Sequence, residues 1–274
     1  VGTVHSVCMR LLERFAYEAG ISPVIRVMDE AMESSLIGSA IEDCLHLDEI
    51  SRMESLANRL EQREQDFSSS WKKQIRNLIS TARSNRIEPQ ELSQMGKESL
   101  QEIMGFLPPE TSNDLDAALR RVIQEVIPEI EANTDTTKTT EKVVVKLRDT
   151  LRQLDQGTLA WSTWWSLVKA SPGKKSADDY QPVADVAKRV EEHPQLRKDL
   201  EDYSHQIHKI AVKALEVFQQ HKKKRGMLDY SDLEVLTLDL LEKPEVCDCL
   251  RDEYDLLVID EFQDTSPIQL ALFL

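Results

Sequence analysis

The sequence predicts a mainly α fold with short buried strand pieces at its two ends. Three observations point there. Glycine and proline are sparse (8 and 10 of 274 residues) and aromatics make up only 5%, a composition that favours helix. Apolar residues recur three and four apart through most of residues 29–225, the period of amphipathic helices. Near the C-terminal end the unbroken apolar run Leu256-Leu257-Val258-Ile259 is bounded by charge and closes on Asp260-Glu261. Such a run predicts a strand buried on both faces, as in a parallel sheet under helices.

In chain order, Val1-Gly2-Thr3-Val4-His5-Ser6 reads as a strand end and a turn. A helix follows over about 6–19, with Val7, Cys8, Leu11, Leu12, Phe15 and Ala19 in one stripe and Gly20 as its stop. Asp29 caps a helix carrying Met32, Leu36, Ile37, Ala40 and Ile41, and further amphipathic stretches run near 49–63, 70–84 and 90–104. Pro108-Pro109 breaks the series; Ser112-Asn113 caps a helix through Leu115, Leu119 and Ile127. The Thr-rich stretch 133–142 is a polar loop and the best internal break. Residues 143–154 fit a helix, with Val143-Val144-Val145 also open to a short strand. Trp161, Trp164 and Trp165 lie at i, i+3 and i+4, the spacing of a helix locked into a core, although an exposed set could stack on bases. A surface loop is expected over 171–182 and a long helix over about 194–223. The basic run Lys222-Lys223-Lys224-Arg225 complements that helix's C-terminal dipole or meets a DNA backbone; Gly226 stops it, and Asp229 caps the next helix.

Composition restricts function. A net charge of −15 excludes a uniformly basic nucleic-acid-binding surface but leaves room for a local basic track. The spacings of Cys8, Cys44, Cys247 and Cys249 suit neither a zinc site nor a disulfide framework, so reduced thiols in a cytoplasmic protein are expected. His205 and His208 share a helical face without an acidic or cysteine partner, which is weak support for a metal site. No apolar run is long enough to span a membrane and no signal peptide is visible.

The chemistry concentrates at the C-terminal end. At the carboxyl end of a parallel strand, side chains reach the crevice where ligands bind. Asp260 there would suit Mg²⁺, which prefers carboxylate and water oxygens, and Glu261 could polarise a water. An Asp-Glu pair after an apolar strand also fits simple capping of the next turn. The continuation Asp260-Glu261-Phe262-Gln263-Asp264-Thr265-Ser266-Pro267 resembles the DExQDT signature of superfamily 1 DNA helicases of the UvrD/RecB type. Ser266 and Pro267 open a helix that contains Leu274 and is expected to continue in a longer parent chain. Two further segments resemble the same family in the same order: Gly2-Thr3-Val4-His5-Ser6-Val7-Cys8, with Val7 where Phe is common, and Lys224-Arg225-Gly226-Met227-Leu228-Asp229-Tyr230-Ser231-Asp232-Leu233. Thr3-x-His5-Ser6 alone also fits a helix cap.

The resemblance implies a RecA-like P-loop motor domain, its short parallel β pieces flanking a helical insertion subdomain of the 1B kind. The edge of the motor would occupy 1–28, the insertion 29–225 and the return to the motor 226–274. The insertion's length resembles that of RecB and AddA helicase–nuclease subunits. It implies a parent with ATP and Mg²⁺ as cofactors that acts as a 3′–5′ DNA helicase/exonuclease in double-strand-break repair and recombination. Its partners would be a single-stranded DNA track, the duplex ahead of the fork and a second helicase–nuclease subunit. Asp260 would hold Mg²⁺, Glu261 activate the attacking water, Gln263 sense the γ-phosphate, and Thr3, His5 and Ser6 touch single-stranded DNA. No Gly-x-x-x-x-Gly-Lys-Thr/Ser loop occurs in the 274 residues, nor a nuclease motif. Two other readings are a non-enzymatic helical interaction module with a degenerate ATPase remnant, and a metal-dependent hydrolase built on Asp260, Glu261 and Asp264.

Overall fold

The computed structural model describes residues 2–60 and 70–273, and these are predominantly helical. They form two compact units. The first comprises Val1–Leu45, Lys73–Met95 and His208–Leu274; the second comprises His46–Lys72 and Gly96–Ile207.

The first unit begins with α1 (Val4–Arg14) and α2 (Ala16–Ala19), separated by a kink at Phe15. Gly20, at φ 68°, takes the left-handed conformation that ends the pair at no steric cost. Asp29 caps α3 (Glu30–Cys44) by accepting from the Met32 N–H at 2.7 Å. Parts of α5 (Ser70–Ser84), α6 (Pro89–Phe106) and α11 (Pro194–Arg225) follow. The unit closes with α12 (Tyr230–Leu241), α13 (Pro244–Glu253) and α14 (Pro267–Phe273). Cys8 and Leu12 of α1, Leu233 and Leu240 of α12 and Val246 of α13 make one small core. The chain leaves for its long helical excursion beside the point where it returns. Met28 donates to the Leu228 carbonyl at 2.8 Å and Leu228 to the Arg26 carbonyl at 2.9 Å, closing a parallel bridge between Val27 and Leu228.

A buried ionic cluster sits at that point. Lys222 Nζ donates to Asp229 and to both oxygens of Asp232 at 2.6 Å, and Arg83 pairs with Asp229 at 2.7 Å and also with Glu33. Asp229 is 0%, Lys222 3% and Arg83 9% exposed, and both cations lie over the buried Phe218 ring, at 4.9 and 4.7 Å. Asp229 and Asp232 also exchange backbone N–H bonds at 2.9 Å as the capping box of α12.

The second unit is built on α4 (Leu47–Arg59), α7 (Leu115–Ala132), α8 (Lys138–Gln156), α9 (Trp161–Val168) and α10 (Ala177–Ala187), with a 3-10 turn at Lys188–Glu192. Leu119, Ile123 and Val126 of α7 meet Leu147 of α8, Trp164 and Leu167 of α9 and Val183 and Ala187 of α10 in a single core. Trp161 and Trp164 are buried there, and Trp161 Nε1 donates to Asp199 at 2.9 Å, so the core reading holds for both. Trp165 alone of the three stays exposed.

Several expectations need correction. The strand over Leu256–Ile259 and the one ending near Thr3 are absent: the Val27–Leu228 bridge is the only β pairing among the described residues. A doubly buried parallel strand needs a neighbour on each side to take its backbone groups, and no extended neighbour is present among those residues. Leu256, Leu257 and Val258 are instead 78%, 66% and 79% exposed, and Thr3 is already the cap of α1. Asp114, not Ser112-Asn113, caps α7, by accepting from the Ala117 N–H at 2.9 Å. The polar loop is shorter than 133–142, because Asp135 accepts from Thr140 and Ser176 while Thr137 caps α8, which runs straight through the three valines. The expected loop over 171–182 contains the first half of α10. Pro182 removes one helical N–H, but Tyr180, Val183, Ala184 and Ala187 are all buried and hold the helix in place. The end of the expected 49–63 helix lies outside the described residues.

Exposed apolar runs associate. The 274-residue chain is expected to show a weight-average mass that rises with concentration in sedimentation equilibrium, and Leu257→Asp to suppress the rise. A concentration-independent monomer mass would show that Leu256–Val258 drives no association.

Candidate functional site

The acids predicted to carry the chemistry lie on an exposed turn between α13 and α14. Asp260 accepts from the Glu261 N–H at 2.9 Å. Glu261 adopts φ 53°, one of two non-glycine residues in the left-handed region among the described residues; Arg86 is the other. That conformation costs a residue with a Cβ on the order of 1 kcal/mol, and such strain gathers at functional turns. Gln263, in a 3-10 turn over Phe262–Asp264, donates its side-chain amide to Glu261. The structure therefore brings Asp260, Glu261 and Gln263 together on one exposed turn.

At the other end, Thr3 and Ser6 make a local cap: Thr3 Oγ1 accepts from the Ser6 N–H at 3.3 Å, and Ser6 Oγ donates to the Thr3 carbonyl at 2.8 Å. His5 is held by α12. Its ring stacks on Tyr230 with centroids 4.5 Å apart, and its Nε2 lies 3.0 Å from Oε1 of Glu234, whose residue is 5% exposed. The same Glu234 oxygen accepts from Gln269 Nε2 at 2.6 Å. Gln269 is in turn the reciprocal partner of the α14 cap: Ser266 donates its N–H to Gln269 Oε1 at 3.3 Å, and Ser266 Oγ accepts from the Gln269 N–H at 3.2 Å. This Glu234–Gln269 link escaped the sequence reading, although Ser266-Pro-Ile-Gln269 has the spacing of a capping box.

The basic run divides: Lys222 is consumed by the buried cluster, while Lys223, Lys224 and Arg225 are exposed at the end of α11. The long-helix prediction over 194–223 is met by α11, which Gly226 stops at φ 60°.

The residues present fit Mg²⁺ in part. Mg²⁺ takes one or two carboxylates and completes its shell with water and substrate phosphate oxygens. One Asp260 oxygen is used by its own turn, which leaves the other for a cation. No group of three or more His, Cys, Asp or Glu suited to a metal occurs among the described residues, a finding that extends to His205 and His208. No disulfide joins any of the four cysteines. No helix among the described residues is long and apolar enough to cross a membrane.

The profile of the UvrD/REP helicase N-terminal domain matches residues 1–274. Similar curated proteins are named as ATP-dependent helicase/nuclease subunits. The one from Listeria monocytogenes serotype 4a is 23% identical over 98% of this chain and 25% of its own length. That of Listeria innocua is 24% identical over 100% and 25%, and that of Natranaerobius thermophilus 33% identical over 28% and 6%. The chain thus spans about a quarter of the length of the relatives that match it end to end. A profile match over all 274 residues, on a chain that holds its Asp-Glu-x-Gln turn open and its Thr-x-His-Ser segment against α12, makes this protein a member of the UvrD/REP helicase N-terminal domain family.

Proposed function

We propose that this chain is the part of an ATP-dependent 3′–5′ DNA helicase/exonuclease subunit that carries the hydrolytic acids and a helical insertion. The parent would act in double-strand-break repair and recombination, beside a second helicase–nuclease subunit. Residues 1–28 and 226–274 would belong to the motor domain, and 29–225 to the 1B-like insertion lying over duplex DNA. Thr3, His5 and Ser6 would line the single-stranded track. In the intact motor, Leu256–Ile259 would pair as a strand. The observation that carries the reading is the exposed turn that gathers Asp260, Glu261 and Gln263, with Glu261 in a strained conformation.

The roles follow from the chemistry. Bound Mg²⁺ would neutralise phosphate charge. Asp260 offers it a carboxylate oxygen. Glu261, which accepts from the Gln263 amide, would take a proton from an attacking water. Gln263 itself would respond to the γ-phosphate and pass that state to the DNA track.

The phosphate grip of such motors is a backbone loop with a Lys that holds the β and γ phosphates, and no such sequence occurs within residues 1–274. The isolated 274-residue chain is therefore expected to show no DNA-stimulated ATPase, while a longer polypeptide that includes the loop hydrolyses ATP when single-stranded DNA is added. Turnover by the purified 274-residue chain that disappears in Asp260→Ala would overturn the assignment of the grip to another segment. A longer polypeptide with no DNA-stimulated turnover would overturn the helicase reading.

A further inference from the structure

Glu234 has no role in the reading above, yet among the described residues its carboxylate joins the Thr3–Ser6 segment, through His5, to α14, through Gln269. It is buried, and a buried carboxylate is costly unless its oxygens are satisfied. Here Oε1 alone takes two donors, His5 Nε2 at 3.0 Å and Gln269 Nε2 at 2.6 Å. The donors come from opposite ends of the chain, 229 and 35 residues away from Glu234.

Each donor is held on its far side as well. Tyr230 and Glu234 are four apart on α12 and so share a face; one stacks on the His5 ring and the other binds its edge. His5 lies between Thr3 and Ser6, which cap α1. Gln269 uses its amide oxygen for the Ser266 N–H and its amide nitrogen for Glu234, so the position of Ser266 is tied to that of the carboxylate. Ser266 follows Gln263 by three residues. A hydrogen-bonded chain thus runs from the Ser266 N–H through two side chains, Gln269 and Glu234, to His5.

We propose that Glu234 is a positioning residue that couples the Thr3–Ser6 segment to the turn bearing Glu261 and Gln263, so that single-stranded DNA at one end and nucleotide at the other report to each other through its carboxylate. This rests on the helicase reading. It names a residue outside the matched signatures as the link. Coupling of this kind is reciprocal and is worth about 5–150-fold in affinity.

The test uses the longer polypeptide that contains the phosphate loop, with an oligo-dT strand as the probe. Glu234→Leu keeps roughly the volume but removes the acceptor oxygen that His5 and Gln269 share. Gln269→Ala cuts the other half of the link without touching the Thr3–Ser6 segment. Both are expected to raise the oligo-dT concentration for half-maximal ATPase stimulation by about tenfold and to leave the rate without DNA within about twofold. The double variant should be no worse than either single one, because both break one path. Half-stimulating concentrations within about twofold of the unsubstituted protein, or fully additive effects, would overturn the proposal. So would equal loss of the basal and stimulated rates, since a carboxylate that merely holds the fold moves both together. Absence of DNA-stimulated turnover in the unsubstituted protein would be seen before any variant is compared, and removes the helicase reading and the coupling with it.

Discussion

Glu261→Gln, in a polypeptide that also carries the phosphate loop, is expected to lower kcat by about 10²–10⁴-fold, the span of lost general-base catalysis, with little change in nucleotide affinity. The substitution keeps the size of the side chain and its capacity to accept from the Gln263 amide. It removes the charge and the base. Nothing in the phosphate grip or at Asp260 is altered, so binding should persist. Asp260→Asn should differ by also weakening Mg²⁺-dependent nucleotide binding, because the oxygen that the amide nitrogen replaces is the one the turn leaves for a cation. Single-turnover hydrolysis with nucleotide titration of both variants separates the two roles. Near-normal hydrolysis by Glu261→Gln would reduce Glu261 to a strained cap of the following turn.

The helices were legible in the sequence wherever one face alone is apolar. Asp29 and Asp229 announce their caps, and the long helix expected over about 194–223 is α11. What stayed hidden depends on partners. Leu256–Ile259 has the pattern of a buried strand, but pattern specifies a face and not the neighbours that complete a sheet, and the run lies exposed. The residues 171–182 look like a loop because of Pro172, Gly173 and Pro182; packing of Tyr180 and Val183 overrides that local preference. For the site, the Asp260–Gln263 grouping is local and could be read directly. The contacts of His5 could not, because Glu234 and Tyr230 lie more than 220 residues away and nothing at His5 marks them as neighbours. The ionic cluster was hidden for a related reason: Lys222 sits in a basic run that looks solvated, and only the fold reveals that it points inward while Lys223–Arg225 do not.

That cluster should dominate the stability of the first unit. Asp229→Ala would leave Arg83 with Glu33 alone and Lys222 with Asp232 alone, would take away the fully buried carboxylate that both cations share, and would remove the cap of α12. Breaking a buried pair in this way costs about 3–5 kcal/mol, which lowers Tm by roughly 6–20 °C in a domain of 150–250 residues. Asp229→Asn isolates the charge, since Asn caps a helix as well as Asp does, and most of the loss should remain. Asp239→Ala, which breaks the half-exposed pair with Arg86, is the control and should cost no more than about 1 kcal/mol. The acid limb gives an independent reading. Burial alone would push the Asp229 carboxyl up, but Lys222 and Arg83 outweigh it and hold it below its usual value. A depressed carboxyl contributes stability that is fully present above its unfolded value of about 3.9 and is lost as pH falls through the folded value. Asp232 has the opposite sign, raised by burial and by the charge of Asp229, and cannot supply that loss. Denaturant titrations from neutral pH to below pH about 3 should therefore show the gap between the parent and Asp229→Asn narrowing as acid is added. Two variants within about 1 kcal/mol of the parent, or a gap that does not change with pH, would mean that the bridge at Val27–Leu228 and the apolar core hold the unit without help from these charges.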